Sequence, residues 1–168
     1  AAYYDIRQGL GFNKSPAVYG AFPTDPYSHT PAGSGARQPG MTGQVKEEIL
    51  TRWGELGVSV QDGQLCFAPT LLRAGEFSAA PGSFACVGLD GSRHSLPLPA
   101  GSLAFTFCQT PIVYTLGNQA EIEIEYHDGR CQTFPGTQLN TASSRHIIDR
   151  DGQISLVRVA VDQQKLAP

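Results

Sequence analysis

The stretch PYSHTPAGSGARQPGMTGQVKEE, residues 26–48, sets Tyr27, His29, Arg37, Gln38, Lys46, Glu47 and Glu48 around a run of Gly and Pro. Side chains of these types hold hydroxyls and oxyanions. The His29 imidazole can donate and accept hydrogen bonds, which fits a sugar hydroxyl or a phosphate, and equally fits a loop histidine fixing its own backbone. The planar donors of Arg37, with the Gln38 amide beside them, suit the same ligand groups, although a solvated loop tip also accounts for Arg37. Glu47 and Glu48 open a helix, where the positive end of the dipole favours carboxylates, and that structural role is sufficient for them. Asp25 adds a carboxylate, but no spacing in this segment assembles the acid and base, about 5 to 10 Å apart, that glycoside hydrolysis requires. Ordering Tyr27, His29, Arg37, Gln38 and Met41 among glycines and prolines costs entropy that a passive linker has no reason to spend. The segment therefore reads as a ligand-facing loop, with Tyr27, His29, Arg37 and Gln38 as its binding residues.

Elsewhere the titratable residues are dispersed. His94, His127 and His146 fall on different predicted hairpins, two of them beside Asp-Gly turns, and show no metal-ligand spacing, so they read as surface residues and no metal or other cofactor is expected. Cys66, Cys86, Cys108 and Cys131 include no Cys-x-x-Cys pair. Each sits in an apolar strand-like run where a free thiol acts as a small hydrophobe, with two disulfides as the alternative. A net charge of -3 over 168 residues offers no basic field for a phosphate backbone, so nucleic acid is not an expected partner. No apolar run approaches the ~20 residues of a bilayer span, so a membrane is not an expected partner either.

The elements that must position these residues differ between the two ends of the chain. From residue 56 onward the pairs Asp62-Gly63, Asp90-Gly91, Asp128-Gly129 and Asp151-Gly152 lie between apolar or alternating runs, and Asp-Gly supplies the positive φ angles of tight hairpins. They predict four hairpins. In EIEIEYHDGRCQTF, Ile122, Ile124 and Tyr126 face one way and Glu121, Glu123 and Glu125 the other, the period of a strand with one wet face. The runs SLAFTFC, PIVYTL and ISLVRVAV are β-branched and aromatic. Turns at this density predict a mainly β domain, an antiparallel β-sandwich of jelly-roll type over residues 56–168.

Residues 1–55 read as a loop-rich segment, broken by Pro16, Pro23, Pro26, Pro31 and Pro39, that is expected to lead to one short helix. In MTGQVKEEILTRWGELG the spacing of Val45, Ile49 and Trp53, with Leu50 and Leu56 beside them, predicts an amphipathic helix capped by Thr42 and ended by Gly54 or Gly57. A lone helix behind such a loop needs a partner surface. With no initiator Met and no signal-like region, the chain is read as part of a longer protein.

The junction KEEILTRWGELGVSVQDGQLCFAPTLL resembles that of bacterial glycoside phosphorylases and hydrolases built on an (α/α)6 barrel, such as the cellobiose and maltose phosphorylases. In that family the last barrel helix passes into a strand pair and then a C-terminal β-sandwich, and Gly57, Val58, Val60, Asp62, Gly63, Leu65, Phe67, Pro69 and Leu71 fit the strand-pair pattern. The resemblance covers residues 20–72. It implies an upstream helical barrel domain as partner, a carbohydrate ligand, and a contribution of YSHTPAGSGARQPGMTG to a sugar or phosphate subsite. On this reading the chain is the C-terminal part of a carbohydrate-active enzyme, without turnover of its own, because no acid–base pair or nucleophile constellation is assembled in it. The alternative is a stand-alone β-sandwich that binds carbohydrate or protein without catalysis, using aromatics such as Tyr3, Tyr4, Tyr19, Phe22 and Tyr27.

Overall fold

A computed structural model describes residues 42–168, with side chains from Ile49 onward. Contacts divide the chain into Ala1–Arg52 and Trp53–Pro168, a division that falls inside the first helix. That helix, α1 (Thr42–Leu56), covers the segment with helical spacing but has no acidic residue in its first turn, so Glu47 and Glu48 fall inside it and do not open it. Its buried end is the last turn, at Glu55 and Leu56, whereas Ile49, Leu50 and Trp53 of the expected stripe stay exposed. Trp53 nevertheless lies edge-on to Phe107, with ring centroids 5.9 Å apart.

The helix stops at Gly57, which adopts φ +67, and a Cβ at this position would lie 2.1 Å from the Ala68 carbonyl carbon. Any other residue would meet both the left-handed strain and the backbone. The chain then forms β1 (Val58–Gln61) and β2 (Gln64–Phe67), joined by the Asp62-Gly63 turn with both residues at positive φ. A second hairpin, β3 (Gly82–Val87) and β4 (Arg93–Leu98), stands as its own two-stranded sheet.

The main sheet comprises β5 (Ser102–Phe107), β6 (Thr110–Gly117), β7 (Glu121–Tyr126), β8 (Cys131–Pro135) and β9 (Ile154–Asp162), in the order β5-β6-β9-β7-β8. Strand β9 runs parallel to β6 and antiparallel to β7. The sheet is therefore mixed, where the turn density had predicted antiparallel pairing throughout. A parallel neighbour needs a crossover, and this one carries a second helix, α2 (Thr141–Asp149), that the sequence reading had not assigned. Asn140 caps it by accepting from the Ser143 amide at 2.8 Å. The Asp151-Gly152 pair, expected as a fourth hairpin, instead leads from α2 into β9.

The predicted alternation of EIEIEY is present: Ile122 and Ile124 are fully buried while the glutamates face the other side. On the buried face, Ile112, Tyr114, Ile122, Ile124, Val157 and Val159 pack with Leu65 and Phe67 of the first hairpin, Leu56 of α1 and Ile147 of α2. Polar groups inside are paired. Ser144 Oγ accepts from the Leu65 amide at 2.8 Å and donates to the Asn140 carbonyl at 2.7 Å, which fixes α2 to β2. Tyr114, also fully buried, donates its hydroxyl to the Leu56 carbonyl at 2.6 Å.

Tyr114→Phe removes this donor and leaves a buried helix-end carbonyl without it, so urea unfolding should show a loss of about 1–3 kcal/mol. A change below ~0.5 kcal/mol would mean that the bond is not stabilising.

Candidate functional site

The face of the main sheet opposite the core carries Glu121, Glu123 and Glu125 of β7 with Arg158 of β9 between them. Arg158 Nη1 lies 2.9 Å from Glu123 Oε1 and Nη2 lies 3.0 Å from Glu125 Oε2. The guanidinium holds two of the three carboxylates in a half-exposed network. The acidic row is thus a solvated, charge-paired face and not an acid–base pair, in keeping with its strand period.

At one end of this face lies a cleft of about 470 Å³. Its walls come from four stretches far apart in sequence: Cys86 to Leu96 of the β3–β4 hairpin, Gln109 to Pro111 at the β5–β6 turn, Glu125 and His127 at the end of β7, and Gly152 to Leu156. A register shift between Glu125 and Tyr126 places the pairs Glu125–Leu156 and Tyr126–Ile154 in succession, leaving Ser155 as the extra residue. The Ser155 hydroxyl donates to the Glu125 carbonyl at 2.9 Å and holds that bulge. Bulges re-aim side chains at the edges of sites. Here Ile154 joins the core while Leu156, 4% exposed, lies outside the core cluster and lines the cleft.

The hairpin tip brings Asp90, Ser92 and His94 together. Ser92 Oγ is 2.7 and 2.8 Å from the two Asp90 carboxylate oxygens and 2.7 Å from His94 Nε2. The residue types are those of a nucleophilic triad, but the order is wrong for one. In a working triad the imidazole stands between hydroxyl and carboxylate and takes the hydroxyl proton. Here the Asp90 carboxylate sits against the Ser92 hydroxyl and stands 3.7 Å from His94 Nε2, the same ring nitrogen that meets Ser92, so it does not orient the imidazole from the far side as a triad carboxylate does. All three side chains face solvent. The cluster is a turn clasp: the Ser92 amide also donates to Asp90 Oδ1 at 2.9 Å, and the Ser92 bonds hold the Asp90 carboxyl below the usual range. Gly88 makes room for it, since a Cβ there would lie 2.7 Å from His94 Nε2.

The β5–β6 turn offers a thiol and an amide. Cys108 and Gln109 form a two-residue loop at φ +49 and +64, a conformation usually reserved for Asn and Gly. Burial pushes the Cys108 thiol up, against the opposing influence of Arg150, so it is not an activated thiolate. All four cysteines are free. Cys66 is buried, Cys86 and Cys108 are half-buried, and Cys131 is exposed, so the expectation of buried thiols holds for Cys66 alone.

Among the described residues no group of three or more His, Cys, Asp or Glu side chains is placed to hold a metal. His94 and His127 border the cleft, while His146 lies on α2 and not on a hairpin. Tyr27, His29, Arg37 and Gln38 lie outside the described residues, as do Tyr3, Tyr4, Tyr19, Phe22, Asp25 and Met41 and the side chains of Lys46, Glu47 and Glu48. Sequence reasoning missed the cleft itself. No described helix is long and apolar enough to cross a membrane.

Where α2 leads into β9, His146 Nδ1 and Asp151 Oδ2 are 2.6 Å apart, and Asp151 Oδ1 accepts from the Gln153 amide at 3.0 Å. The His146 bond first, and the Gln153 bond second, hold the Asp151 carboxyl below its usual value. A carboxyl depressed in the folded state adds stability that is complete above its unfolded value, about 4, and is lost as the pH falls through the folded one. The difference in urea midpoint between the native chain and Asp151→Asn should therefore shrink between pH 5 and pH 3. A difference that stays constant would show that the ionised carboxylate contributes nothing. Compared with known proteins, the chain matches no family model and no curated protein.

Proposed function

We propose that residues 53–168 form a non-catalytic binding module whose cleft takes a small ligand with an aliphatic body and a hydrogen-bonding end. The observation that carries this reading is the composition of the cleft. Leu89, Leu96, Pro111, Ile154 and Leu156 supply apolar wall, and Gln109, Asp90, His94 and His127 supply polar groups near it. Ligand sites commonly combine a mostly apolar lining with a few placed polar groups, in volumes of roughly 300–1,000 Å³. Among the described residues no Phe, Tyr or Trp lines this cleft, so it lacks the broad stacking platform that favours sugar rings. The Asp90–Ser92–His94 order and the raised Cys108 thiol argue against nucleophilic chemistry. The first hairpin packs its Leu65 and Phe67 in the core while the second lines the cleft beside Glu125 and Leu156, and we read this as a sandwich-like arrangement with hairpins in place of a second full sheet.

A second reading, the supporting domain of a carbohydrate-active enzyme, has one observation in its favour. Helix α1 turns at Gly57 directly into the β1–β2 hairpin, the junction that the resemblance over residues 20–72 implies. On that reading Tyr27, His29, Arg37 and Gln38 meet the sugar, and an upstream barrel is the partner.

Methyl NMR of the chain titrated separately with 1-hexanol, cellobiose and maltose distinguishes the two. Hexanol at millimolar concentration should shift the methyls of Leu89, Ile154 and Leu156, and the sugars should leave them in place. If hexanol moves none of them, the cleft is not a ligand site. Sugar-induced shifts confined to residues 26–48, weakened by His29→Ala and Gln38→Ala at unchanged Tm, would establish the second reading.

A further inference from the structure

We propose that the β3–β4 hairpin is a hinged lid over the cleft and that Gln109 is its latch. The inference rests on the reading of the cleft as the ligand site. The hairpin belongs to neither of the other sheets, and its two ends are held very differently. At the base, the Ser78 amide donates to the Ser102 carbonyl at 2.8 Å and the Gly101 amide to the Ser78 carbonyl at 2.7 Å. Ser102, only 2% exposed, adds a bond from its hydroxyl to the Pro99 carbonyl at 2.6 Å. At the tip, Gln109 Nε2 donates to the Gly88 carbonyl at 3.3 Å. Among the described residues no other hydrogen bond crosses from residues 82–98 to the five-stranded sheet. Leu89 adds an apolar approach there, its Cδ1 3.8 Å from where a Cβ on Gly152 would lie.

A strong base and a weak tip define a hinge. The Asp90–Ser92–His94 clasp adds what a lid needs, a tip stiff enough to move as one body.

Backbone conformation points to the same place. Of the four described non-glycine residues at positive φ, Cys108, Gln109 and Arg150 lie at this latch, at φ +49, +64 and +53. Arg150 is the left-handed C-cap of α2, a position that usually takes glycine, and its Nη1 donates to Gln109 Oε1 at 3.4 Å. Glycine would relieve the strain at both sites but could not make the chain of bonds from Arg150 through Gln109 to Gly88. Strain retained at a site needs such a reason.

Cys86 lines the cleft from the hairpin side and is half-buried, so its alkylation reports opening. Exposed Cys131 serves as the rate reference and buried Cys66 as the monitor of general unfolding. Gln109→Asn accepts a left-handed φ more readily than glutamine and is too short to reach Gly88, and Gln109→Gly removes the amide with no backbone strain. In both variants N-ethylmaleimide, followed by peptide mass analysis, should label Cys86 about two- to fivefold faster relative to Cys131, the scale of one lost hydrogen bond. Cys66 should not change, and Tm should be equal or higher. An unchanged Cys86 rate overturns the lid, whatever hexanol does in the titration, and so does a parallel rise at Cys66. Faster Cys86 labelling in a chain whose cleft methyls ignore hexanol leaves the lid standing and removes the ligand reading.

Discussion

The hydroxyl of Tyr114, donating to the Leu56 carbonyl at 2.6 Å, joins the last turn of a helix to the middle of a sheet strand. A helix leaves its final carbonyls without partners, and one that is buried must find a donor elsewhere. Burial raises the Tyr114 pKa far above the ordinary phenol range, so the donor keeps its proton. The ring packs edge-on to Phe105 and Phe67, with centroids 5.1 and 6.3 Å away. Strand β6, strand β5 and the first hairpin thus meet at one side chain. Because Gly57 follows Leu56 directly in the left-handed region, the position of that carbonyl also sets where β1 begins.

What was legible in the sequence is what local rules control. Three Asp-Gly pairs make hairpins because their glycines take positive φ, joined by Asp62 in the first, and EIEIEY shows its faces because a strand alternates. Gly57 ends the helix for the same local reason. The Asp151-Gly152 pair makes no hairpin because Asp-Gly specifies a backbone shape and not the element on either side of it. Helix α2 carries two serines and two β-branched isoleucines in nine residues, a weak intrinsic signal, and tertiary bonds such as Ser144 to Leu65 fix it. Its readable mark was Asn140 as an N-cap. The Cys108–Gln109 turn contains no turn-forming residue at all, so no propensity argument reaches it.

The cleft was out of reach for a different reason. Its residues are spread from Cys86 to Leu156 and converge only through the pairing of β6, β7 and β9. Motif reading instead drew attention to residues 26–48, where chemically capable side chains lie close in sequence. Proximity along the chain and convergence in space are separate properties. Asp90, Ser92 and His94 show the converse case, since they are near in both senses and still lack the order that nucleophilic chemistry demands.

The two faces of the main sheet have been given different tasks by one parity rule. Strand alternation commits Val157, Val159 and Val161 to the core and leaves Leu156 and Arg158 on the other side. Arg158 answers the glutamates there, which would otherwise repel one another two residues apart along β7. Leu156 has no such partner and, with Val113, is buried away from the core cluster. A sheet face bearing buried aliphatic residues beside an ion-pair network needs a cover over one part and water over the other. The β3–β4 hairpin, with Phe84, Cys86 and Leu96 less exposed than Ser83, Ala85 and Val87, has an apolar inner side suited to that cover. Placing the bulge at Ser155 then turns the sheet at the margin between the two regions, and the cleft opens where covered face meets charged face.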